Sequence, residues 1–414
     1  MTGICIIGVG MTRFGRHRDK SLKQLSCEAV DAALIDAGLQ RNQIEEIHFA
    51  NCVQGYMDGQ HMIRGHAIFL EQGFQGIPIF NLESGCASGS MAFHQAVRCL
   101  LSGQADVVMA VGAEKMVCDD KGKMFNAFTS AWDIARTDWQ MNIIEQMAAG
   151  PIPSGSQSDK PYSPFMDVYK AEFIQHQKLY DSTVRQVAAI CAKNHLHSTH
   201  NPNAQFQQAY SIDEVLNAAP ITYPLTLPMC APISDGAAAV ILCKLDKAPK
   251  LGAGSRAIPV LASTTGSGRE RAPEQLDQHL VTRIADKAYE MAGVAAADVD
   301  VAELHDATAV GELLETENLR LCPPGTGGEF AERGYTSLGG SMPVNVSGGL
   351  ESRGHPIAAT GIAQIFDLVQ QLRGEAGARQ VEGARIGLQC NVGGFWGVEE
   401  ASAHVAILGS KKAI

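Results

Sequence analysis

The sequence predicts an α/β protein made of two similar halves, with a long irregular segment inserted into the first half. Three observations predict this fold class. Short, fully apolar runs alternate with amphipathic runs of helical spacing, one helix–turn–strand order occurs twice along the 414 residues, and one long stretch interrupts the alternation. Strands that alternate with helices are typical of a sheet that helices cover on both faces.

The first half supplies the strands and helices of one such unit. The run ICIIGVG at 4–10 predicts a buried strand, and residues 22–39 have a helical spacing that ends at Gly38. A helix begins just after Cys86, and further apolar strands are predicted at 44–52, 76–83 and 105–114. Fully apolar strands between amphipathic helices predict a parallel sheet that is buried on both faces.

The pattern recurs later in the chain. Residues 29–51 resemble residues 284–306, because both hold a helix that closes on Ala-Gly, a short acidic turn and a strand. Residues 96–112 resemble residues 368–390, which again read as helix, glycine turn and strand. Chance likeness between amphipathic helices is the alternative, but two matched segments in the same order favour an internal duplication.

A long segment without this alternation follows the first half. Residues 115–235 are richer in Pro, Met, Tyr, Gln and Asn, and they contain the loop sequence GPIPSGSQSDKPYSP. Long insertions between regular elements usually carry ligand contacts. We therefore expect an N-terminal half at 1–114 plus 234–250, an inserted loop domain at 115–233, and a C-terminal half at 251–414.

Composition and charge exclude several classes of partner. The formal net charge of −11 argues against nucleic acid, although a local basic patch could hold a small anion. The longest apolar runs are far shorter than a membrane span, and the N-terminus lacks the features of a signal peptide. The 11 cysteines form no CxxC pair, which favours free thiols in a reducing compartment. We expect a cytoplasmic protein with no nucleic-acid or membrane partner.

Cys86 is the first candidate for chemistry. It stands in NLESGCASGS, at the start of a predicted helix and among residues too small to cover it. The positive end of the helix dipole favours a thiolate, and unpaired backbone N–H groups can bind an oxyanion on an attached acyl group. A buried structural thiol is the alternative for a lone cysteine, so Cys86 needs a base nearby.

Three more residues lie where such a base or acid is expected. His355 stands at a helix start in RGHP, where Pro356 suits a first helical position. His305 and Cys390 each lie at the C-terminal end of a predicted strand, the edge at which α/β sheets bind ligands. Each alone is more often structural, but their shared placement favours one site. The histidines of NHLHSTH at 194–200 lack the spacing and partners of a zinc site, and no metal is expected.

These motifs resemble those of the thiolase family. The segment NVSGGLESRGHPIAATG at 345–361 looks like the Asn-x-x-Gly-Gly…Gly-His-Pro signature of thiolases. ELHDATAVGELLETENLRLCPPG at 303–325 looks like the His-Asp-Cys-Phe region of the sterol-carrier-protein-2 type, also called the lipid-transfer protein type. KNHLHSTHNPNAQF, SDGAAA and LRGEAGARQVEGARIGLQCNVGG are similar to the same subfamily, so the resemblance runs along essentially the whole chain.

The resemblance implies the thiolase fold. In that fold two duplicated βαβαβαββ halves form a five-layer αβαβα sandwich, and an inserted loop domain covers coenzyme A. It also implies a homodimer or a homotetramer that binds acyl-CoA substrates. No fused sterol-carrier domain is expected.

The resemblance also implies roles for individual residues. Cys86 becomes acylated, His355 activates it, and His305 completes an oxyanion hole for the thioester oxygen. Cys390 is the second acid/base, which moves the proton of the acetyl-CoA α-carbon. A second oxyanion hole is formed by the backbone N–H groups of Cys86, Gly393 and Gly394. The residues of the Asn-x-x-Gly-Gly motif are expected to contact substrate, namely Asn345, Ser347 and Gly348.

One departure from the subfamily bears on the chemistry. Its His-Asp-Cys-Phe reads His305-Asp306-Ala307-Thr308 here, so a cysteine that serves as acid/base is replaced by alanine. The resemblance makes Cys390 its substitute.

The expected activity is that of a CoA-dependent C-acyltransferase. It would cleave or form 3-oxoacyl-CoA by a ping-pong reaction through acyl-Cys86. Coenzyme A is a co-substrate, and no tightly bound cofactor is expected. Two alternatives stay open: a related acyltransferase to a non-CoA acceptor or a retro-aldolase, and a non-catalytic subunit that binds acyl-CoA or lipid.

Overall fold

The computed structural model describes residues 2–410 of the chain. Its strands are β1 (Ile4–Met11), β2 (Glu46–Ala50), β3 (Ile79–Leu82), β4 (Val107–Glu114), β5 (Pro220–Thr222), β6 (Leu225–Thr226), β7 (Gly236–Lys244), β8 (Ile258–Ser267), β9 (Val301–Glu303), β10 (Ile386–Gly393) and β11 (Ser402–Gly409). Its helices are α1 (Leu22–Ala37), α2 (Gln54–Asp58), α3 (Arg64–Phe69), α4 (Ser88–Ser102), α5 (Lys121–Asn126), α6 (Thr137–Met147), α7 (Phe165–Tyr180), α8 (Val184–Ser198), α9 (Ile212–Leu216), α10 (Leu280–Ala292), α11 (Ala309–Asn318), α12 (Gly327–Glu332), α13 (Gly349–Arg353) and α14 (Thr360–Arg373).

Nine strands form one mixed sheet in the order β3-β2-β4-β7-β1-β8-β11-β10-β9. Only β3, β2 and β4, and the pair β9 and β10, run parallel to their neighbours. The purely parallel sheet predicted for the first half is therefore wrong. The end of β4 and the start of β7 lie at the same edge of the sheet, where Glu114 pairs with Gly236. A strand that re-enters at the edge where its neighbour ended must run antiparallel to it.

The two halves of the sheet repeat one arrangement. The order β3-β2-β4-β7-β1 of the first half corresponds to β9-β10-β11-β8 in the second. The counterpart of β3 is reduced to a single parallel bridge between Ala302 and Val344. The half-sheets join where Ile4–Ile6 of β1 pairs with residues 258–260 of β8. The segments that resemble each other in sequence, α1–β2 with α10–β9 and α4–β4 with α14–β10, occupy equivalent places in the two halves.

Helices α4 and α14 lie between the two half-sheets. Their apolar side chains, such as Phe93 and Ile362, share one buried core with Val240 of the first half-sheet and Leu408 of the second. Helix α1 covers the outer face of the first half, and α10 covers the outer face of the second. Full burial of each large apolar side chain stabilises the fold by about 1.5–3 kcal/mol. The layers are thus helix, sheet, helix, sheet, helix.

The segment between β4 and β7 forms helices α5–α9 and a two-stranded sheet of β5 and β6. It begins and ends beside the C-terminal ends of β2, β3 and β4, so it stands over that edge of the first half-sheet. Helix α8 packs on α12 and α13 of the second half. Among the helices of residues 2–410, none has the length and apolar character of a membrane span.

Candidate active site

A cavity of about 750 Å³ opens between the sheet edge and the inserted segment. Cys86, which follows β3, His305, which follows β9, and His355, which precedes α14, all line it. Its wall on the other side includes Tyr169 of α7 and Phe125 of α5. The cavity therefore lies at the C-terminal ends of the parallel strands, the edge predicted from the sequence.

Cys86, His305 and His355 form a compact group at this cavity. The Cys86 sulfur and one ring nitrogen of each histidine all lie within 4.8 Å of one another. The two imidazole rings meet edge to face, with centroids 5.1 Å apart at an angle of 87°. These three residues stand far apart in sequence, and the structure brings them together.

The close approach of α4 and α14 produces this convergence. A Cβ added at Gly89 would lie 2.4 Å from the carbonyl oxygen of Ala358, and one added at Gly361 would lie 2.0 Å from the Ser90 hydroxyl. Both distances are well below contact, so glycine is required at both positions. Because the first turns of the two helices touch, Cys86, just before α4, faces His355, just before α14.

A hydrogen bond fixes the tautomer of His355. Its Nδ1 lies 2.6 Å from the Thr360 hydroxyl, and that hydroxyl donates its own proton to the Pro356 carbonyl at 3.0 Å. Nδ1–H must therefore be the donor, which leaves Nε2 with a free lone pair. Burial, together with the Arg353 guanidinium, lowers the pKa of His355 to about 3. His355 is thus a neutral imidazole whose free nitrogen can accept a proton.

His305 is held in the opposite tautomer. The Ser90 hydroxyl accepts a hydrogen bond from Gln389 and donates to Oδ1 of Asn391, which orients the Asn391 amide. Nδ2 of Asn391 then donates to Nδ1 of His305 at 2.7 Å, so the ring proton lies on Nε2. Burial and the neighbouring His355 hold the pKa of His305 well below its ordinary value. His305 therefore offers a neutral N–H donor.

These tautomers decide whether Cys86, His305 and His355 suit metal binding or acyl transfer. Two groups of described residues have atoms spaced to hold a metal ion, namely this trio and Glu46, His48 and Cys99. In the second group, Nε2 of His48 lies 2.8 Å from Oε1 of Glu46, so the histidine and the carboxyl group already contact each other. A metal ligand needs a lone pair, and the free nitrogen of His305 carries a proton. A nucleophile, an acceptor and a donor fit acyl transfer better than metal binding.

Cys86 lies two residues before the first residue of α4 and not within its first turn. Burial, followed by the charges of Glu114 and Glu83, raises the pKa of the Cys86 thiol to about 12. The prediction that the helix dipole favours a resting thiolate is therefore wrong, because desolvation outweighs it. The thiol must lose its proton to a base as it attacks.

Gly393 and Gly394 also line the cavity, as expected for the second oxyanion hole. A Cβ at Gly393 would lie 2.8 Å from the backbone nitrogen of Cys86, and one at Gly85 would lie 2.9 Å from the nitrogen of Gly394. Glycines thus let the backbones of the two loops touch. This contact places the end of β10 directly beside the nucleophile.

The structure does not bring Cys390 to the cavity. Cys390 is fully buried and shares a core with Leu388 and Val392 of the same strand face. Its thiol hydrogen-bonds to the carboxyl group of Glu315, and burial together with that group raises its pKa well above the ordinary value. Its acid/base role stays a prediction that the geometry does not favour.

The three residues of the Asn-x-x-Gly-Gly motif also lie outside the cavity lining. Asn345 is fully buried, and its Oδ1 accepts from the backbone of Leu304 at 2.8 Å. Ser347 donates to Glu303 at 2.6 Å. Gly348 packs on Ser198, where a Cβ would lie 2.5 Å from the serine Cβ. These contacts hold the segment around His305, and substrate contact by the three residues stays a prediction.

Comparison with known proteins decides the family. Residues 4–215 match the family model "Thiolase, N-terminal domain", and residues 267–410 match "Thiolase C-terminal domain-like". Sterol carrier protein 2 of Rattus norvegicus is 36% identical over 402 residues, covering 94% of this chain and 70% of the relative. The chain belongs to the thiolase family. This confirms the resemblance recognised in the sequence.

Other relatives and solved structures agree with this assignment. An acetyl-CoA acetyltransferase of Methanothermobacter thermautotrophicus is 35% identical over 417 residues, covering 98% of this chain and 99% of the relative. The Ltp2-ChsH2(DUF35) aldolase has a TM-score of 0.78 at 22% identity, covering 100% of this chain and 99% of the other. Human mitochondrial 3-ketoacyl-CoA thiolase in complex with CoA has a TM-score of 0.70 at 15% identity, covering 99% and 98%. The predicted thiolase fold and a thiolase-type acyltransferase function are confirmed.

Several residues at this thiolase site were not predicted from the sequence. They are Asn391 and Thr360, which fix the histidine tautomers, and Tyr169, Glu172 and Glu400, which line the cavity. A signal for Asn391 was present, because polar Gln389 and Asn391 alternate with apolar Leu388, Cys390 and Val392. That alternation turns Asn391 and Cys390 to opposite faces of the strand.

Proposed function

We propose that this thiolase cleaves 3-oxoacyl-CoA with coenzyme A to give acetyl-CoA, or propionyl-CoA, and a shortened acyl-CoA. One observation carries this proposal: a buried thiol, a lone-pair nitrogen and an N–H donor converge at the floor of a cavity large enough for an extended thioester. Acyl transfer through a covalent intermediate needs these three groups.

Cys86 is the proposed nucleophile and His355 its base. As the sulfur attacks the 3-oxo carbon, the thiol proton passes to the free Nε2 of His355. Both groups are neutral at rest, since the pKa of Cys86 is raised to about 12 and that of His355 is lowered to about 3. Proton transfer therefore accompanies attack and does not precede it.

Two sets of N–H groups would stabilise developing negative charge. The Nε2–H of His305, joined by His355 once it is protonated, faces the thioester oxygen that becomes an enolate. The backbone N–H groups of Cys86 and the Gly393–Gly394 loop would hold the oxyanion on the acyl group. Fixed donors of this kind contribute about 10²–10³ each to turnover.

Basic residues at the cavity mouth would meet the phosphates of coenzyme A. Arg16, Arg18, Lys121 and Lys160 all line the cavity, although the net charge of the chain is −11. Arg18 pairs with Asp119, which also lines the cavity, and the other three cations form the local basic patch that the sequence allowed despite its negative net charge. Coenzyme A would act as a co-substrate, and the proposal needs no tightly bound cofactor.

We further propose a homodimer or homotetramer that works in the cytoplasm. The edge strand β3 carries Phe80, which is 49% exposed, and Met62 and Ile63 before α3 are exposed as well. An edge strand with an exposed apolar side chain suits pairing with a second copy. All 11 cysteines are free, as in a reducing compartment. The division at 1–114 plus 234–250, 115–233 and 251–414 is likewise a proposal, in which the middle part covers the substrate.

Turnover with defined substrates tests the proposed function. Acetoacetyl-CoA or a longer 3-oxoacyl-CoA should be consumed only when free coenzyme A is present. Cys86→Ala should abolish consumption, whereas Cys27→Ala on α1 should match the wild type. Consumption without coenzyme A would favour another acceptor or a retro-aldol reaction. Binding of acyl-CoA with no turnover at any chain length would favour a non-catalytic subunit.

A further inference from the structure

Thiolase chemistry needs a group that protonates the α-carbon, and neither Cys86, His305 nor His355 can be that group. Breaking the C2–C3 bond of a 3-oxoacyl-CoA leaves a carbanion, stabilised as an enolate, that must be protonated at C2. His355 already holds the Cys86 proton, and the free nitrogen of His305 is a donor to the enolate oxygen. Ala307 has no proton to give, and Cys390 does not line the cavity.

Apart from Asp119, which forms an ion pair with Arg18, two carboxyl groups line this cavity. Glu172 projects from α7, and Glu400 projects from the loop between β10 and β11. The side chain of Glu400 keeps 16% of its surface exposed. Its neighbour Glu399 points away, is fully buried, and is bound to Arg271 at 2.7 Å and to the backbone nitrogen of Leu280 at 3.0 Å. Glu399 is therefore structural, whereas Glu400 faces the cavity.

The loop geometry places Glu400 near the nucleophile. Gly393 packs against the backbone nitrogen of Cys86, and the carbonyl of Gly394 accepts a hydrogen bond from Ala401 at 3.4 Å. The loop thus closes back on the two glycines beside Cys86. Tyr169 lines the same cavity, and burial, followed by the charges of Glu172, Cys86 and Glu400, raises the pKa of its hydroxyl well above the ordinary value.

No strong partner neutralises Glu400. Oε2 of Glu400 lies 3.2 Å from Nε2 of His279, yet it accepts no aligned hydrogen bond from a described residue. His279 is neutral, because burial and two arginines hold its pKa well below the ordinary value. Other titratable or charged groups also interact electrostatically with Glu400. They are Glu399, Arg271, Glu172, Tyr169, Glu315 and Cys390.

The pKa values of both cavity carboxyls are raised, and the charge of Glu400 acts on Glu172. Burial raises the pKa of Glu400 to about 7, with Glu399 adding to the rise and Arg271 opposing it. Burial and the charge of Glu400 raise the pKa of Glu172 well above its ordinary value. Near neutral pH the pair therefore keeps at least one proton, and Glu400 can both give and accept one.

We propose that Glu400, with Glu172 as its proton-sharing partner, is the acid/base that moves the α-carbon proton in this enzyme. The inference rests on the proposed thiolase function. As the C2–C3 bond breaks, its electron pair passes to C2 and the thioester oxygen, and Glu400 donates its proton to C2 to complete acetyl-CoA. The Glu400 carboxylate then takes the thiol proton of coenzyme A, whose sulfur attacks acyl-Cys86. Cys86 leaves as thiolate and recovers its proton from His355.

Deuterium exchange separates this step from acylation. Wild-type enzyme incubated with acetyl-CoA in D₂O should place deuterium on the acetyl methyl group. Glu400→Gln should slow this exchange and 3-oxoacyl-CoA cleavage by about 10²–10⁴, the usual share of general acid–base catalysis. It should still form acyl-Cys86 from an aryl thioester, whose leaving thiolate needs no proton. Glu145→Gln, on the exposed face of α6, is the matched control and should exchange like the wild type.

Two further variants keep the test decisive if Glu400→Gln folds poorly. Glu172→Gln removes the second carboxyl, so the pH dependence of cleavage should change from two linked ionisations of the pair to the single ionisation of Glu400. Cys390→Ala should retain exchange. The proposal is overturned if Glu400→Gln exchanges at the wild-type rate, if Glu172→Gln leaves the pH profile unchanged, or if Cys390→Ala alone loses exchange. A wild type that forms no acyl-Cys86 overturns the proposed function first, and this inference with it.

Discussion

The hydroxyl of Thr360 and the amide of Asn391 decide which nitrogen of each active-site histidine carries a proton. His355 thereby becomes an acceptor and His305 a donor, although both are neutral imidazoles in one buried group. Without these two hydrogen bonds, either ring could present the wrong nitrogen to the thioester. The chemistry of the site depends on the neighbours of the histidines as much as on the histidines themselves.

Thr360→Val and Asn391→Ala should each lower kcat about tenfold to a hundredfold with little change in KM. This loss is smaller than that from removing a donor outright, because each ring still adopts the correct tautomer part of the time. Steady-state kinetics checks this. Thr336→Val is the matched control, since the Thr336 hydroxyl is buried without a hydrogen-bond partner among the described residues. A control variant as slow as Thr360→Val would contradict the tautomer argument.

The raised pKa of Cys86 predicts how its alkylation depends on pH. A thiol with a pKa of about 12 is almost entirely protonated at pH 7, and its thiolate fraction grows about tenfold per pH unit. The iodoacetamide rate at Cys86 should therefore climb steadily from pH 7 to 10 with no plateau. Peptide mass spectrometry separates Cys86 from other reactive cysteines. A plateau near pH 7 would instead show a resting thiolate–imidazolium pair.

The contact between α4 and α14 in the core sets the distance between Cys86 and His355 at the cavity. Both helices lie in the central layer, and each uses a glycine in its first turn to approach the other. Their preceding loops then present Cys86 and His355 to each other. A change in helix spacing would move the nucleophile away from its base.

Gly361→Ala should lower both stability and activity. The new methyl group would lie 2.0 Å from the Ser90 hydroxyl and 2.6 Å from Oδ1 of Asn391, and overpacking of this kind costs about 1–3 kcal/mol. The melting temperature and the turnover rate should fall together. Gly150→Ala is the control, because its methyl group would meet only Ile174, at 3.9 Å. Equal melting temperatures for the two variants would refute the spacing argument.

The sequence predicted the elements well and the direction of some strands and side chains poorly. The start of α1 at Leu22 and its stop at Gly38 follow from the capping box of Ser21 with Gln24 and from the left-handed glycine. Apolarity alone cannot show that β7 returns antiparallel, because strands buried on both faces look alike in either direction. Cys390 was assigned by motif likeness, although the alternation along β10 places it with Val392 on the strand face opposite Asn391.

The molecule as a whole is two copies of one unit that meet across a shared helical layer. Each copy brings its strand ends to one common edge. Cys86, His305 and His355 therefore meet there, although more than 200 positions separate Cys86 from His305. Sequence repetition could predict this edge. It could not predict the tautomers, which Thr360 and Asn391 fix, or the carboxyl pair, in which Glu172 comes from the inserted segment and Glu400 from the second half.

Phe80→Glu should convert the proposed homodimer or homotetramer into smaller species. A charge placed on the exposed apolar edge of β3 would have to be buried if a second copy pairs there. Light scattering after size exclusion measures the mass. Ile35→Glu on α1, where Ile35 is 82% exposed, is the control and should keep the wild-type mass. A Phe80→Glu variant of unchanged mass would place the interface elsewhere.

Acylation of Cys86 is the central claim, and intact-protein mass spectrometry tests it most directly. After incubation with a 3-oxoacyl-CoA, the protein should gain the mass of one acyl group, and peptide mapping should locate it on Cys86. Adding free coenzyme A should remove that mass. Consumption of the 3-oxoacyl-CoA with no adduct, or with an adduct on another residue, would contradict the account.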